Sequence, residues 1–209
     1  MQGCHYCQFD PVALAPLNEN TRLRLQESQL LEYDFAGKTV LDIGCNLGLF
    51  CLLAFQREAR QVVGADITED FIKQSRERAD LFRNALPEAQ RARFDVRFDH
   101  IGFAALDPAC YRADVVLCYE VLHWLVDQGI GLADAIQRLR LLTGRDLFLE
   151  FPWDVTERSI ANQTKLTREQ YDAEIIFREL LKHFANVRIL RFTTYMQDTH
   201  ARRVLVRAN

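Results

Sequence analysis

The chain of 209 residues contains no long hydrophobic run and carries little net charge. Because a membrane-spanning helix needs about 20 predominantly apolar residues in succession, we expect no membrane span. Residues 1–20 contain neither the basic start nor the apolar stretch that marks a signal peptide. The formal net charge of −3 provides no overall positive field. This argues against nucleic acid as a partner but leaves a local basic patch open.

The sequence also lacks a disulfide framework, because its six cysteines are scattered along the chain. Cys45, Cys51 and Cys118 lie in apolar segments, which predicts buried free thiols. This use of cysteine is typical of a reducing compartment, so we expect a cytoplasmic protein. The C-x-x-C sequence at positions 4–7 has no second cysteine pair, so we expect no metal there.

What the chain does contain is enough apolar sequence, 49% of its residues, for one well-filled core. Residues 1–36 form a polar leader in which the spacing at 18–31 predicts a helix, and residues 37–209 form the main domain. From residue 39 onward, strand-like and helix-like segments alternate. The predicted strands are 39–43, 61–66, 94–98, 113–118 and 146–150, and the predicted helices are 47–57, 69–84 and 132–142.

The last part of the chain changes character. Thr167 and Gln170 match a capping box, which predicts a helix that begins at Thr167. Two strand-like segments follow, at 187–194 and 202–207, and their short connection suits an antiparallel hairpin. The whole pattern predicts an α/β fold: a mostly parallel seven-stranded sheet with a C-terminal antiparallel hairpin and helices on both faces.

The most informative segment is Val-Leu-Asp-Ile-Gly-Cys-Asn-Leu-Gly at 40–48, an apolar strand that turns through glycine into a helix. A second apolar strand ends at Asp66. A glycine turn at one strand end and an acid at the next is how an open parallel sheet holds an adenosine. A dinucleotide site would have G-x-G-x-x-G, whereas Asn46 stands here in place of the middle glycine, which argues against a nicotinamide dehydrogenase.

The first motif, together with Asp66, Asp99 and Glu120 after the next three predicted strands, resembles the Rossmann-like S-adenosylmethionine-dependent methyltransferases over about residues 38–209. The resemblance implies that fold, that activity and S-adenosylmethionine as the cofactor. It also implies a set of cofactor contacts: Asp42, Gly44, Cys45, Asn46 and Gly48 at the methionine part, Asp66 on both ribose hydroxyls, Ile67 on adenine, Asp99 on the adenine amino group with Ile101 nearby, and Cys118 and Tyr119 facing the sulfonium.

Each of these roles has a simpler alternative. Gly44 and Gly48 can serve a tight turn alone, Asp66 can cap the helix that follows Thr68, and Asp99 can be a solvated surface acid.

Acceptor chemistry is expected beyond the carboxyl ends of the fourth and fifth strands, where Glu120, His123, Trp124 and Trp153 lie. His123 is the candidate general base, with Glu120 beside it, although a helix histidine bonded to a neighbour is the alternative. The two tryptophans either form pocket walls or pack in the core. Glu120 and His123 are too few to hold a metal ion, so we predict none.

A narrower resemblance concerns the acceptor. Residues 114–124, Leu-Glu-Phe-Pro-Trp at 149–153 and the closing Arg-Arg-Val-Leu-Val-Arg resemble the methylphosphate RNA-capping enzymes. They are also similar to the methyltransferase domain of polysaccharide chain-terminating enzymes. Both families methylate terminal phosphates, and a phosphate oxygen needs cations rather than a base. The candidate cations are Arg22, Arg24, Arg158, Lys165 and Arg168, with an ordinary solvated face as the alternative.

The sequence thus predicts a cytoplasmic S-adenosylmethionine-dependent methyltransferase that methylates a hydroxyl or phosphate oxygen of a small molecule or glycan. The asparagine-proline signature of enzymes that methylate amino groups of nucleic acids is absent after the fourth strand. The alternatives are a non-catalytic scaffold subunit that binds the cofactor, and an RNA-directed methyltransferase.

Overall fold

The computed structural model describes residues 8–154, 164–193 and 203–209. The chain divides into two compact units, Met1–Leu106 and Asp107–Asn209. The cysteine pair at 4–7 and Arg158 lie outside the described residues. No helix in the described part of the chain combines the length and the apolar character needed to cross a membrane.

The first unit contains three parallel strands in the order β3-β2-β1. Its elements in chain order are α1 (Glu19–Glu27), β1 (Thr39–Ile43), α2 (Leu49–Gln56), β2 (Gln61–Asp66), α3 (Glu69–Ala85), α4 (Glu88–Arg91), β3 (Val96–His100) and a 3₁₀ turn (Phe103–Ala105). The first two strands have the predicted bounds. Each is an apolar run that ends at a glycine or an acid, which is why sequence alone locates them.

Helix α3 shows how a helix packs on this sheet. Its buried residues are Ile72, Ser75, Ala79 and Phe82, at the spacing of one helical face. Glu69 and Asp70 occupy its first turn, where the helix dipole favours negative charge.

Strand β3 begins two residues later than predicted, at Val96 instead of residue 94. Phe94 belongs to an aromatic cluster instead, with its ring centroid 4.8 Å from that of Phe55 and 6.2 Å from that of Phe82. The pairing with β2 sets Asp99 opposite Ala65. The prediction that Asp99 follows the strand is therefore wrong, because Asp99 lies within β3.

The second unit contains four strands in the order β4-β5-β7-β6. Its elements are α5 (Pro108–Tyr111), β4 (Ala113–Tyr119), α6 (Leu122–Asp127), α7 (Leu132–Leu142), β5 (Thr143–Pro152), α8 (Ala173–His183), β6 (Val187–Thr193) and β7 (Arg203–Ala208). Strands β4 and β5 are parallel, and β7 runs antiparallel to both β5 and β6. The predicted fold class, a mostly parallel α/β fold closed by an antiparallel hairpin, is confirmed.

The predicted start of the last helix is wrong. The backbone N–H of Thr167 donates to the side-chain oxygen of Gln170 at 3.0 Å, but these residues form only a single turn. The helix begins at Ala173, where the Asp172 carboxylate accepts from the N–H of Glu174 at 2.8 Å. Two sets of capping residues lie close together in the sequence, and the second one starts the helix. The turn between them contains Tyr171, which is buried.

Candidate functional site

The turn after β1 has an unusual backbone. Gly44, Asn46 and Gly48 all have positive φ angles, of 73°, 50° and 82°. Glycine adopts this conformation without steric cost and asparagine does so better than most residues. The N–H groups of Gly44 and Cys45 both donate to the Ala65 carbonyl, at 2.8 and 3.1 Å. The turn is therefore fastened to the end of β2.

Asp66 also holds this turn, through a hydrogen bond to its side-chain carboxylate. Its Oδ2 accepts from the backbone N–H of Asn46 at 3.0 Å, and its Oδ1 accepts from that of Thr68 at 2.8 Å. The hydrogen bond from the Thr68 N–H corresponds to the alternative given in the sequence analysis, in which Asp66 caps the helix that follows Thr68. A carboxylate has about four acceptor positions, so two bonds leave about two for a ligand. Asp66 is buried, with 8% of the residue exposed.

The residues after β2 and β3 lie side by side. The Ile101 N–H donates to the Asp66 carbonyl at 3.0 Å, and His100 Nε2 lies 2.9 Å from the Ile67 carbonyl oxygen. The apolar side chain of Ile67 is 62% exposed beside the acid. Asp99 is half-buried, and its Oδ2 lies 3.2 Å from Nε of Arg97. The structure therefore brings Asp66, Ile67 and Ile101 to one edge of the first unit.

Asp42 is the buried acid of β1. The Cys51 thiol donates to its Oδ2 at 3.4 Å. Burial raises the pKa of the Asp42 carboxyl to about 7, and the charge of Asp66 acts in the same direction, whereas the Cys51 hydrogen bond and the charge of Arg24 oppose the rise. Cys45 and Cys51 are buried free thiols, as predicted, and so is Cys118 in the second unit. Near neutral pH, Asp42 can either donate or accept a proton.

This edge of the first unit fits a nucleoside. It offers a carboxylate with acceptor positions to spare for a sugar diol and an exposed aliphatic side chain for the face of a base. The buried acid Asp42 and the glycine turn lie within the same unit. A side chain at Gly48 does not fit, because a Cβ atom there would lie 2.7 Å from the Phe98 ring.

The two arginines predicted from the leader helix do not form one cluster. Arg22 is exposed and is bound to Glu19 and Gln26, with Nε 2.8 Å from Glu19 Oε2. Arg24 lies over the Phe50 ring, 5.4 Å from its centroid, and its charge acts on Asp42. Only Arg24 is thus directed toward the predicted cofactor residues.

In the second unit, β4 ends in the buried residues Cys118 and Tyr119. Glu120 follows with a φ of 61°, and its N–H donates to the Glu150 carbonyl at 3.1 Å. This left-handed conformation is strained for a residue other than glycine, so it marks a constrained position. Glu120 Oε2 forms an ion pair with Nε of Arg203. Arg203 is the first residue of β7, and its side chain is 2% exposed.

His123 lies on α6 and is 2% exposed. Its Nδ1 is buried and has no hydrogen-bond partner in the part of the chain that the structure describes. Burial lowers the pKa of His123 below 6.5; Arg203 also lowers it, while Glu120 and Asp127 raise it. The imidazole is therefore mostly neutral at physiological pH and able to accept a proton.

Sequence reasoning missed two residues of this group. Tyr171 is fully buried, and its hydroxyl has no hydrogen-bond partner among the described residues. Burial raises its pKa well above 10.0; Glu120 and Cys118 also raise it, and Arg203 lowers it. Sequence alone gives Tyr171 no role beyond a position in the helix predicted to begin at Thr167. For Arg203, the available signal was an arginine directly before the apolar strand sequence Val-Leu-Val.

The remaining candidates are more peripheral. Trp124 packs its ring 5.2 Å from that of His123 and is partly exposed. Trp153 is partly exposed and contacts two phenylalanine rings, those of Phe177 and Phe192. Arg168 forms an ion pair with Asp154. Within the described ranges, no group of three or more His, Cys, Asp or Glu side chains could hold a metal ion.

Comparison with known proteins gives one family match. The sequence model described as "Methyltransferase domain" matches residues 17–173. Among curated proteins, the chain is 31% identical over 117 residues to the ribosomal protein L11 methyltransferase of Caldanaerobacter subterraneus subsp. tengcongensis. The aligned segment is 55% of this chain and 37% of that protein, so the chain corresponds to less than half of its relative.

Solved structures resemble this fold at low sequence identity. Magnesium protoporphyrin IX methyltransferase (ChlM) from Synechocystis PCC 6803, crystallised with bound SAM, has a TM-score of 0.62 at 20% identity. That match covers 92% of this chain and 84% of ChlM. The crystal structure of WbdD has a TM-score of 0.65 at 20% identity, over 92% of this chain and 40% of WbdD. These likenesses support the fold.

Proposed function

Because the chain belongs to the methyltransferase domain family, we propose that it transfers the methyl group of S-adenosylmethionine to an oxygen atom of a small molecule or glycan. Family membership confirms the predicted methyltransferase class and, with it, the cofactor. The names of the similar proteins refer to different acceptors, a protoporphyrin and a ribosomal protein. The acceptor of this chain is therefore argued from its own residues.

In the first unit, Asp66 is proposed to accept hydrogen bonds from the ribose hydroxyls through its remaining acceptor positions. Ile67 provides an exposed apolar surface for the adenine, with Ile101 and Asp99 on the neighbouring strand end. Asp42 and the turn from Gly44 to Gly48 are proposed to line the methionine part. The two backbone bonds that hold Asp66 fix its orientation before any ligand binds.

When bound, S-adenosylmethionine supplies a methyl group on a positively charged sulfur, so transfer is an in-line displacement in which alignment contributes much of the rate. A hydroxyl acceptor must also lose its proton during the transfer, which calls for a base. A phosphate acceptor needs cations instead, because its oxygens are already ionised.

One observation favours a hydroxyl acceptor over a phosphate. His123 is buried and mostly neutral, and its Nδ1 has no partner within the described residues, which suits a general base for a hydroxyl. Two of the cations predicted for a phosphate are less suitable, because Arg22 is already paired with Glu19 and Arg168 with Asp154. A hydroxyl oxygen is therefore the proposed acceptor atom.

The proposal is tested by following labelled methyl transfer from S-adenosylmethionine into a cellular metabolite extract. We expect His123→Gln to lower the rate by about 100-fold or more, the usual contribution of a general base. Binding of S-adenosylhomocysteine, measured by calorimetry, should be unchanged. Trp124→Phe is the matched control, since it alters the ring beside His123 without removing a base. A His123→Gln protein with the wild-type rate would exclude His123 as the base.

The same assay addresses the alternatives. A wild-type protein that binds S-adenosylhomocysteine tightly but labels nothing would support the non-catalytic scaffold. Labelled material that is destroyed by ribonuclease would support the RNA-directed enzyme.

A further inference from the structure

Buried polar atoms of the second unit without a hydrogen-bond partner among the described residues include Glu120 Oε1, His123 Nδ1 and the Tyr171 hydroxyl. Such atoms are rare in folded proteins, because each one left unpaired destabilises the fold. Three of them in one unit call for an explanation.

The three atoms come from neighbouring segments. His123 lies three residues after Glu120, and Asp172, next to Tyr171, forms a β-bridge with Asp154 just after β5. The charges of Glu120 and Arg203 act on the titration of both His123 and Tyr171. Glu120 and Arg203 are joined directly by their ion pair. Glu120 is held at the end of β4 by its bond to Glu150, and Arg203 begins β7 opposite Pro152. The cluster is thus built from three separate segments of the second unit, at 120–123, 171 and 203.

We propose that Glu120 Oε1, His123 Nδ1 and the Tyr171 hydroxyl together bind an uncharged hydroxyl group of the acceptor, which makes Tyr171 an acceptor-binding residue. This inference rests on the proposed function. It adds Tyr171 to the site and specifies that the acceptor group bound there is uncharged. A hydroxyl group can both donate and accept a hydrogen bond. The three atoms require both, because the Tyr171 hydroxyl can donate while His123 Nδ1 and Glu120 Oε1 can accept. The Tyr171 O–H donates to the acceptor oxygen, and the acceptor proton is directed to His123 Nδ1 or Glu120 Oε1.

The charge balance of the cluster selects against an anion. The negative charge of Glu120 is matched by the positive charge of Arg203 within their ion pair. His123 and Tyr171 are mostly neutral, so no net positive charge is left for a phosphate. A phosphate would also direct its oxygens at Glu120 Oε1, which can only accept hydrogen bonds when ionised. An uncharged alcohol needs no positive charge in the site, and its O–H group can donate to Glu120 Oε1.

The first test is Tyr171→Phe, which removes a buried hydroxyl that has no described partner. We expect the melting temperature of the ligand-free protein to rise by about 2–4 °C, because an unpaired buried polar group is lost. Methyl transfer into the extract should fall about three- to tenfold, as for the loss of one hydrogen bond. Affinity for S-adenosylhomocysteine should stay unchanged. Tyr111→Phe, in α5 of the same unit, is the control.

A lower melting temperature for Tyr171→Phe would overturn the inference, since it would mean that the hydroxyl has a structural partner. Wild-type transfer rates in this variant would overturn it as well. A different result would refute the proposed function itself: a wild-type protein that neither binds S-adenosylhomocysteine nor transfers the labelled methyl group. The melting temperature of Tyr171→Phe tests whether the hydroxyl has a structural partner, whether or not the protein transfers methyl groups.

The second test concerns charge. The metabolite extract is treated with alkaline phosphatase before the labelling reaction, and an untreated portion serves as the control. An acceptor that reacts through an uncharged hydroxyl should still be labelled after the treatment. Labelling that disappears after phosphatase treatment, together with a product from the untreated portion that carries a methyl phosphate ester, would show that the reacting group is a phosphate and would overturn the inference.

Discussion

Replacement of Asp42 by asparagine is expected to remove a pH dependence from the free energy of unfolding. Burial is the main reason why the pKa of this carboxyl rises from 3.8 to about 7. Between these values the carboxyl is protonated in the folded protein and ionised in the unfolded chain. The stability that results is complete below pH 3.8 and is lost as the pH rises through about 7.

The size of the effect follows from the same values. Each pKa unit corresponds to about 1.4 kcal/mol, so a rise of about three units amounts to about 4 kcal/mol. About 3 kcal/mol of this falls between about pH 5 and pH 8.5. Asparagine has nearly the same shape and can still accept the Cys51 thiol, but it does not ionise. The variant should therefore gain stability relative to the wild type as the pH rises.

The measurement is urea unfolding of both proteins at about pH 5, 7 and 8.5. The difference in unfolding free energy between Asp42→Asn and the wild type should grow by about 3 kcal/mol across this range. Asp34→Asn is the control, because the Ala36 N–H and Lys38 lower the pKa of that exposed carboxyl. Asp34 stays ionised in both states over this range, so its difference should be constant. A constant difference for Asp42→Asn would refute the reasoning.

Three further predictions concern the other site residues. Asp66→Ala should weaken binding of S-adenosylhomocysteine by about 1.5–3 kcal/mol, the range for lost charge-assisted hydrogen bonds; unchanged calorimetric affinity would contradict its ribose role. Gly48→Ala should destabilise the protein by about 1–3 kcal/mol in urea unfolding, and by more than Gly37→Ala, which shares a positive φ but has open space around it. Equal losses of stability in the two variants would mean that the Phe98 ring moves to accommodate the added methyl group. The acid limb of the pH–rate profile should lie below pH 6.5 in the wild type and vanish in His123→Gln.

The elements that sequence predicts well have local causes. Strands β1 and β2 are apolar runs that end at a glycine or an acid, both of which are uncommon in strands, so their bounds agree with the prediction. The start of β3 depends instead on the packing of Phe94 against Phe55 and Phe82, which come from distant parts of the chain. The start of α8 depends on which of two nearby capping residues begins the helix. Neither competition can be decided from local sequence.

The candidate site divides in the same way. The cofactor residues are identifiable because a glycine turn and an acid at adjacent strand ends form a recognisable pattern. Tyr171 and Arg203 are not identifiable, because their relation to Glu120 arises only when segments more than 50 residues apart fold together. A tyrosine in an amphipathic helix pattern and an arginine next to a strand are both ordinary in sequence. What distinguishes the Tyr171 hydroxyl is its burial without a hydrogen-bond partner in the described part of the chain.

The left-handed backbone at Glu120 has a consequence for anyone who engineers this protein. Glycine would adopt that φ angle with less strain, so the backbone alone would suggest Glu120→Gly to an engineer. The same exchange would remove the acid that pairs with the buried Arg203, and breaking a buried ion pair costs about 3–5 kcal/mol. This exceeds the strain of about 1–3 kcal/mol that the glycine would relieve, so heat-stabilising mutagenesis should leave Glu120 in place.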